Sequence, residues 1–187
     1  MTLTQIVTSV RKLISGNSGT ANQLAAPSET WQVLTASAAA NSTTTIATVM
    51  TTSSLPAGIY SYRYDIISQS AATTTAQKFS VDATGTVTHH LYHLFFPSAG
   101  VTAATGVADQ EVNATTGAVW AHESTRVDNT TLGPMTDVDT ANADVHFVIE
   151  GMLETSTSGN LLLGHASEVA AASTVQSGTT LQLWRFS

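Results

Sequence analysis

From Trp31 to Phe186 the chain is a succession of short runs with apolar residues at alternate positions, separated by segments rich in Gly, Pro, Asn and Ser. A period of two is the signature of strands whose side chains point alternately to two faces. The runs are spaced as in β-sandwiches. Predicted strands cover 31–36, 44–51, 58–68, 77–82, 86–96, 118–124, 144–156, 160–166 and 179–186. The turns include Pro56-Ala57-Gly58, Ala83-Thr84-Gly85, Ser158-Gly159-Asn160 and Gln176-Ser177-Gly178, each expected to supply a residue tolerant of positive φ. Composition agrees. Thr and Ser number 32 and 20 of 187 residues, and such an excess favours strand and polar loop over helix. The expected class is all-β, antiparallel.

Charge and residue inventory exclude several functions. Six Lys and Arg stand against thirteen Asp and Glu, a net charge of −7. A protein that grips phosphates carries the opposite sign, so no nucleic-acid partner is expected. The longest apolar runs, such as Leu91 to Phe96 broken by His93, are too short for a membrane span. Absence of cysteine removes disulfides, thiol catalysis and thiolate metal sites. There is no Gly-x-Ser-x-Gly elbow and no phosphate-cradling loop, and His122-Glu123 lacks the second histidine of a zinc-protease helix. With 10% charged residues and no activating motif, the chain is expected to be neither an enzyme nor a cofactor binder.

The first residues follow a different rhythm. Leu3, Ile6, Val7, Val10, Leu13 and Ile14 fall at the three-and-four spacing of one helical face. Thr2 or Thr4 can cap the start, Arg11 and Lys12 suit the negative end of the helix dipole, and Gly16 follows as a C-cap. The basic residues lie within the apolar run instead of before it, so a retained amphipathic arm is expected, not a signal peptide. Too short to be stable alone, it is expected either to dock on a partner or on sister chains or to pack on its own domain, and those six apolar residues are its candidate docking face. Residues 16–29 read as a linker. The domain organisation is therefore 1–29, helix and linker arm, and 30–187, β-domain.

Within the β-domain, faces can be assigned by parity. Tyr60, Tyr62 and Tyr64 share one side of their strand, and Ser61, Arg63 and Asp65 the other. Two strands are apolar on both sides. In 87–96, Val87, Leu91 and Phe95 lie on one face and Tyr92, Leu94 and Phe96 on the other. In 181–186 bulk again occurs on both. A two-sided strand needs cover from its own core and from something else. For the last strand of a small sandwich that is often a neighbouring copy. Tyr92, Leu94, Phe96, Trp184 and Phe186 are the candidate interface residues of a homo-oligomer.

Metal-ligating residue types occur without metal-ligating spacing. On a strand His89 and His93 share a face but lie about 13 Å apart at ~3.3 Å per residue, and His90 points the other way. Asp137, Asp139, Asn142 and Asp144 could chelate calcium, but Asx residues before a strand ordinarily form turns. No metal is expected. Glu150 and Glu168 lie beside apolar residues and need partners, for which Arg63 and Arg185 are the candidates; these are read as structural pairs that set the register of copies.

Several strings together carry a resemblance: Leu55-Pro56-Ala57-Gly58-Ile59-Tyr60, Gln69-Ser70-Ala71-Ala72-Thr73-Thr74-Thr75, Val138 to Asp144, Ile149-Glu150-Gly151 and His165 to Ala172. From about Leu55 to the end the chain resembles phage virion proteins built on a trimeric jelly roll like that of tumour necrosis factor and the complement globular heads. The resemblance implies a jelly-roll sandwich, a homotrimer and a place on the capsid surface of a virion. It implies a decoration or cement protein that binds the major capsid protein and stabilises the head shell, with the N-terminal helix as docking arm. A different expectation is a fibre or receptor-binding tip that recognises host glycans, for which Trp31, Trp120 and Trp184 are the aromatic platforms to inspect.

Overall fold

A computed structural model describes residues 28–73, 75–98, 110–112, 119–126, 128–133 and 141–186. The arm with Leu3, Ile6, Val7, Val10, Leu13 and Ile14 lies outside the described residues, as do Asp137 and Asp139. The described chain is all-β, with eleven strands: β1 (Ser28–Val33), β2 (Ala47–Thr51), β3 (Gly58–Ser70), β4 (Gln77–Ala83), β5 (Val87–Ser98), β6 (Gln110–Val112), β7 (Val119–Thr125), β8 (Val145–Thr155), β9 (Leu161–Ser167), β10 (Ser173–Val175) and β11 (Thr180–Arg185). Nine of these fall where the period-two runs are. The short β6 and β10 were not legible, because three residues cannot display a period.

The strands form two antiparallel sheets. The first runs β1-β11-β3-β8-β5-β7-β6, with β10 also paired to β3, and the second runs β2-β9-β4. The chain passes repeatedly from one sheet to the other, so that its last strand lies between its first and third. This wiring is jelly-roll-like. One hydrophobic cluster fills the space between the sheets, with Phe79, Val81, Leu161 and Leu163 from the second packing on Tyr60, Tyr62, Tyr64, Phe147 and Ile149 from the first. Phe79 and Phe147 meet at 5.1 Å between ring centroids.

Parity holds along β3, where Tyr60, Tyr62, Tyr64 and Ile66 are buried and Ser61, Arg63 and Asp65 alternate with them. Parity fails in β5, because the register slips between Val87 and His89. An extra residue in one strand turns everything beyond it to the other face, so Val87 packs on the core although it was placed with Leu91 and Phe95. The turns also divide. Gly178 has φ +90°, the left-handed region that glycine tolerates best. Gly85 and Gly159 are needed for a different reason: a Cβ on Gly159 would lie 2.2 Å from the backbone nitrogen of Gly85, so the two turns touch through their main chains.

Candidate functional site

The outer face of the first sheet is an ordered grid, because directly opposed residues of antiparallel strands point the same way. One row across β1, β11, β3, β8 and β5 reads Glu29, Trp184, Ser61, Met152, Leu91. The next reads Trp31, Gln182, Arg63, Glu150, His93, and the third Val33, Thr180, Asp65, Val148, Phe95. Arg63 lies at the centre. Its Nε and Nη2 donate to the two carboxylate oxygens of Asp65 at 2.9 and 2.8 Å, and its Nη1 donates to Glu150 Oε1 at 2.7 Å. This fork holds the Asp65 carboxyl below its ordinary range, chiefly through the hydrogen bonds from Arg63. His146 Nε2 stands 3.4 Å from Asp65 on the other side.

Around that polar centre the face is apolar and open. Trp31 is 57% exposed, Met152 53% and Val33 50%, and all three are on the grid. A groove of about 710 Å³ runs between Trp184 and Leu91 over Arg63, Glu150, His93 and Gln182. A second, of about 650 Å³, adjoins it through Leu91 and Met152 and reaches Ile59, His89 and Arg126. The Trp31 indole donates to Glu29 Oε1 at 2.6 Å.

Behind the grid, on the core side, lies a chain of hydrogen bonds. Tyr62 Oη is 2.7 Å from His90 Nε2, and His90 Nδ1 is 2.7 Å from Asp128 Oδ1. The carboxylate can only accept, so Nδ1 carries the proton and Nε2 accepts from the tyrosine. Burial lowers the His90 pKa against the opposing pull of Asp128, which fits this neutral tautomer. Asp82 is raised by burial and by the neighbouring Asp128. Residues 128–132 are fastened over this region: Asn129 N–H donates to Val81 O, Tyr92 Oη donates to Thr130 O, and Leu132 bridges Phe79. A second buried polar cluster joins His165 Nε2 to Gln77 Oε1 at 3.1 Å and to Ser173 Oγ at 3.2 Å. Its imidazole is pushed down to about 4 by burial.

No protein-family model and no curated protein matches the chain.

Two expectations need correction. Tyr92, Leu94 and Phe96 are buried in the chain's own core, so they are not the outward side of β5. That side is Leu91, His93 and Phe95, and parity alone could not say which set faced in. Trp184 lies on the outer grid and is half-buried, as is Phe186 beyond the end of β11. Glu150 does pair with Arg63, but Glu168 accepts from the backbone N–H of Ala76 at 3.3 Å, while Arg185 donates to the carbonyl of Ala57. Among the metal candidates, His89 faces out and His90 in. Asn142 adopts φ 59° and donates its N–H to Ser70 O, a turn, and Asp144 accepts from Gln69. Among the described residues no cluster of three or more His, Asp or Glu is placed to hold a metal ion. Trp120 and His122-Glu123 lie on β7, a strand and not a helix. The links from His90 to Asp128 and from His165 to Gln77 were missed, because they join residues distant in sequence with no shared pattern.

Proposed function

We propose that the protein is a structural subunit of a phage particle: a homotrimer, bound to the outside of the head shell as a decoration or cement protein, whose copies pack through the outer face of the first sheet. The observation that carries self-association is the placement of Trp31, Val33 and Met152, each at least half exposed, on one continuous face around the Arg63 fork. Exposed apolar area gathered on one face of a single chain ordinarily marks an interaction surface, and hiding a large apolar side chain contributes roughly 1.5–3 kcal/mol. The virion assignment is supported by the resemblance from Leu55 onward, and the low charge and absence of cysteine agree with a particle component. In this reading Leu3, Ile6, Val7, Val10, Leu13 and Ile14 engage the major capsid protein. Analytical ultracentrifugation should give a trimer at micromolar concentration. Deletion of residues 1–16 should leave that trimer intact and abolish attachment to particles; undiminished occupancy overturns the docking role, and a stable single-chain species overturns the trimer.

A second reading, a glycan-recognising tip, is favoured by one feature: the groove beside Trp184 sets an indole against Arg63, Glu150 and Gln182, an aromatic wall with hydrogen-bonding groups. A glycan array separates the readings. Binding that Trp184→Ala abolishes, by a chain that remains single, supports the tip.

A further inference from the structure

We propose that copies of this chain take up protons as they meet, at His89, His93 and His146 on the outer face of the first sheet. The inference rests on the self-association reading above and concerns what controls it. The carboxylates of Glu29, Asp65, Glu150 and Glu154 stand on that face around the guanidinium of Arg63, with Asp144 held by Gln69 at its edge, so acids outnumber bases there while the imidazoles are neutral. The chain as a whole is also acidic, at −7. Contact between copies therefore brings like charges together, and it strips water from the carboxylates as the surrounding Trp184, Met152 and Leu91 close over them. Both effects oppose association unless the charge is compensated.

The compensation is already in place. His89 Nδ1 lies 2.7 Å from Glu154 Oε2. His146 Nε2 lies 3.4 Å from Asp65 Oδ1. His93 is directly opposite Glu150 in the β5–β8 register. His89 and His146 thus stand beside carboxylates and His93 is placed opposite one, so protons taken up there reduce the negative charge of the face. Imidazole is the side chain whose charge changes between about pH 5 and 8. The other groups around them do not replace it. Arg63 already spends its donors on Asp65 and Glu150. The groove beside His89 also holds Arg126 and Asp128, one of each sign. Ser124 of β7 is opposite His93, and Ile67 of β3 is opposite His146; the titratable His122, opposite Phe95, comes two residues before Ser124, and Asp144, which accepts from Gln69, two before His146. Association and proton binding are then linked, so each strengthens the other.

Sedimentation equilibrium of the full chain at about pH 5.5 and 7.5, at fixed ionic strength, tests this. The wild type is expected to associate roughly tenfold or more tightly at the lower pH, and the His89→Gln, His93→Gln, His146→Gln triple variant to lose that difference. Equal association of the wild type at both values overturns proton coupling and leaves self-association standing. A single-chain species at both values overturns self-association, and the coupling with it. A triple variant that keeps the full pH dependence assigns the protons to the remaining histidines, His90, His122 or His165, and overturns the proposal. Far-UV circular dichroism checks the fold of the variant. Should it not fold, His89→Gln alone serves, since that side chain is 84% exposed and is expected to remove part of the pH dependence; no change overturns its share.

Discussion

The Tyr62 ring lies directly against Gly151: a Cβ on that glycine would fall 2.4 Å from the tyrosine's Cζ and hydroxyl oxygen. The two residues are opposite one another in the β3–β8 register, so an aromatic ring covers the gap left by a missing side chain. This lets the Tyr62 hydroxyl reach His90 under the sheet.

Gly151→Ala is therefore expected to be destabilising although its backbone conformation suits alanine. The methyl group displaces a fully buried ring and lengthens the bond to His90. Overpacking of this kind costs about 1–3 kcal/mol, to be read as a lower urea midpoint at unchanged m-value. Unchanged stability would show that the ring moves freely.

His165 makes the fold acid-sensitive. Its pKa is pushed down to about 4 in the folded chain, against about 6.5 for unperturbed histidine. Between these values the unfolded chain binds a proton that the folded chain refuses. Stability is therefore complete above about pH 6.5 and falls as pH drops towards 4, by about 3 kcal/mol from this residue. His90, also lowered, acts in the same direction. His165→Gln should flatten the stability slope over that window by about one proton, measured by urea unfolding at a series of pH values.

Arg63→Gln removes the centre of the outer grid. Asp65 is then expected to titrate nearer its ordinary range, because the hydrogen bonds that hold it down are lost. Its lowered pKa contributes stability above the carboxylate range, lost as pH falls through the folded value. With Arg63 and Glu150 well exposed, the stability loss at neutral pH should be only about 1 kcal/mol. An NMR titration of the Asp65 carboxyl carbon reads the shift directly.

Asp128→Asn should act on two residues. His90 exchanges an ionised acceptor on Nδ1 for a neutral amide oxygen, at a cost of about 1 kcal/mol, and Asp82 loses one of the two causes that raise it. Asp82 is therefore expected to fall towards the ordinary carboxylate range without reaching it, since burial is the larger cause. Carboxyl NMR of wild type and variant compares the two.

Much of the fold was legible because a strand writes its period locally. The tyrosines of β3 and the turn at Gly178 need only neighbouring residues to be read. The site was less legible. Arg63 and Glu150 could be named as partners because each was conspicuous among few charges, yet their adjacency is a matter of register across 87 residues. A separation of 38 residues likewise hid Asp128 from His90. The choice between the two faces of β5 failed for another reason: both carry bulk, so alternation is symmetric there. The bulge at Val87 added a slip that no period announces.

By itself the sequence determined which longer segments extend, where they turn and, within an unbroken strand, which side chains travel together, because those follow from backbone geometry over a few residues. Only the tertiary structure decided which set faces inward, and which acids meet which bases. Those depend on how strands far apart in the chain are laid side by side, and packing between two sheets fixes that order as a whole.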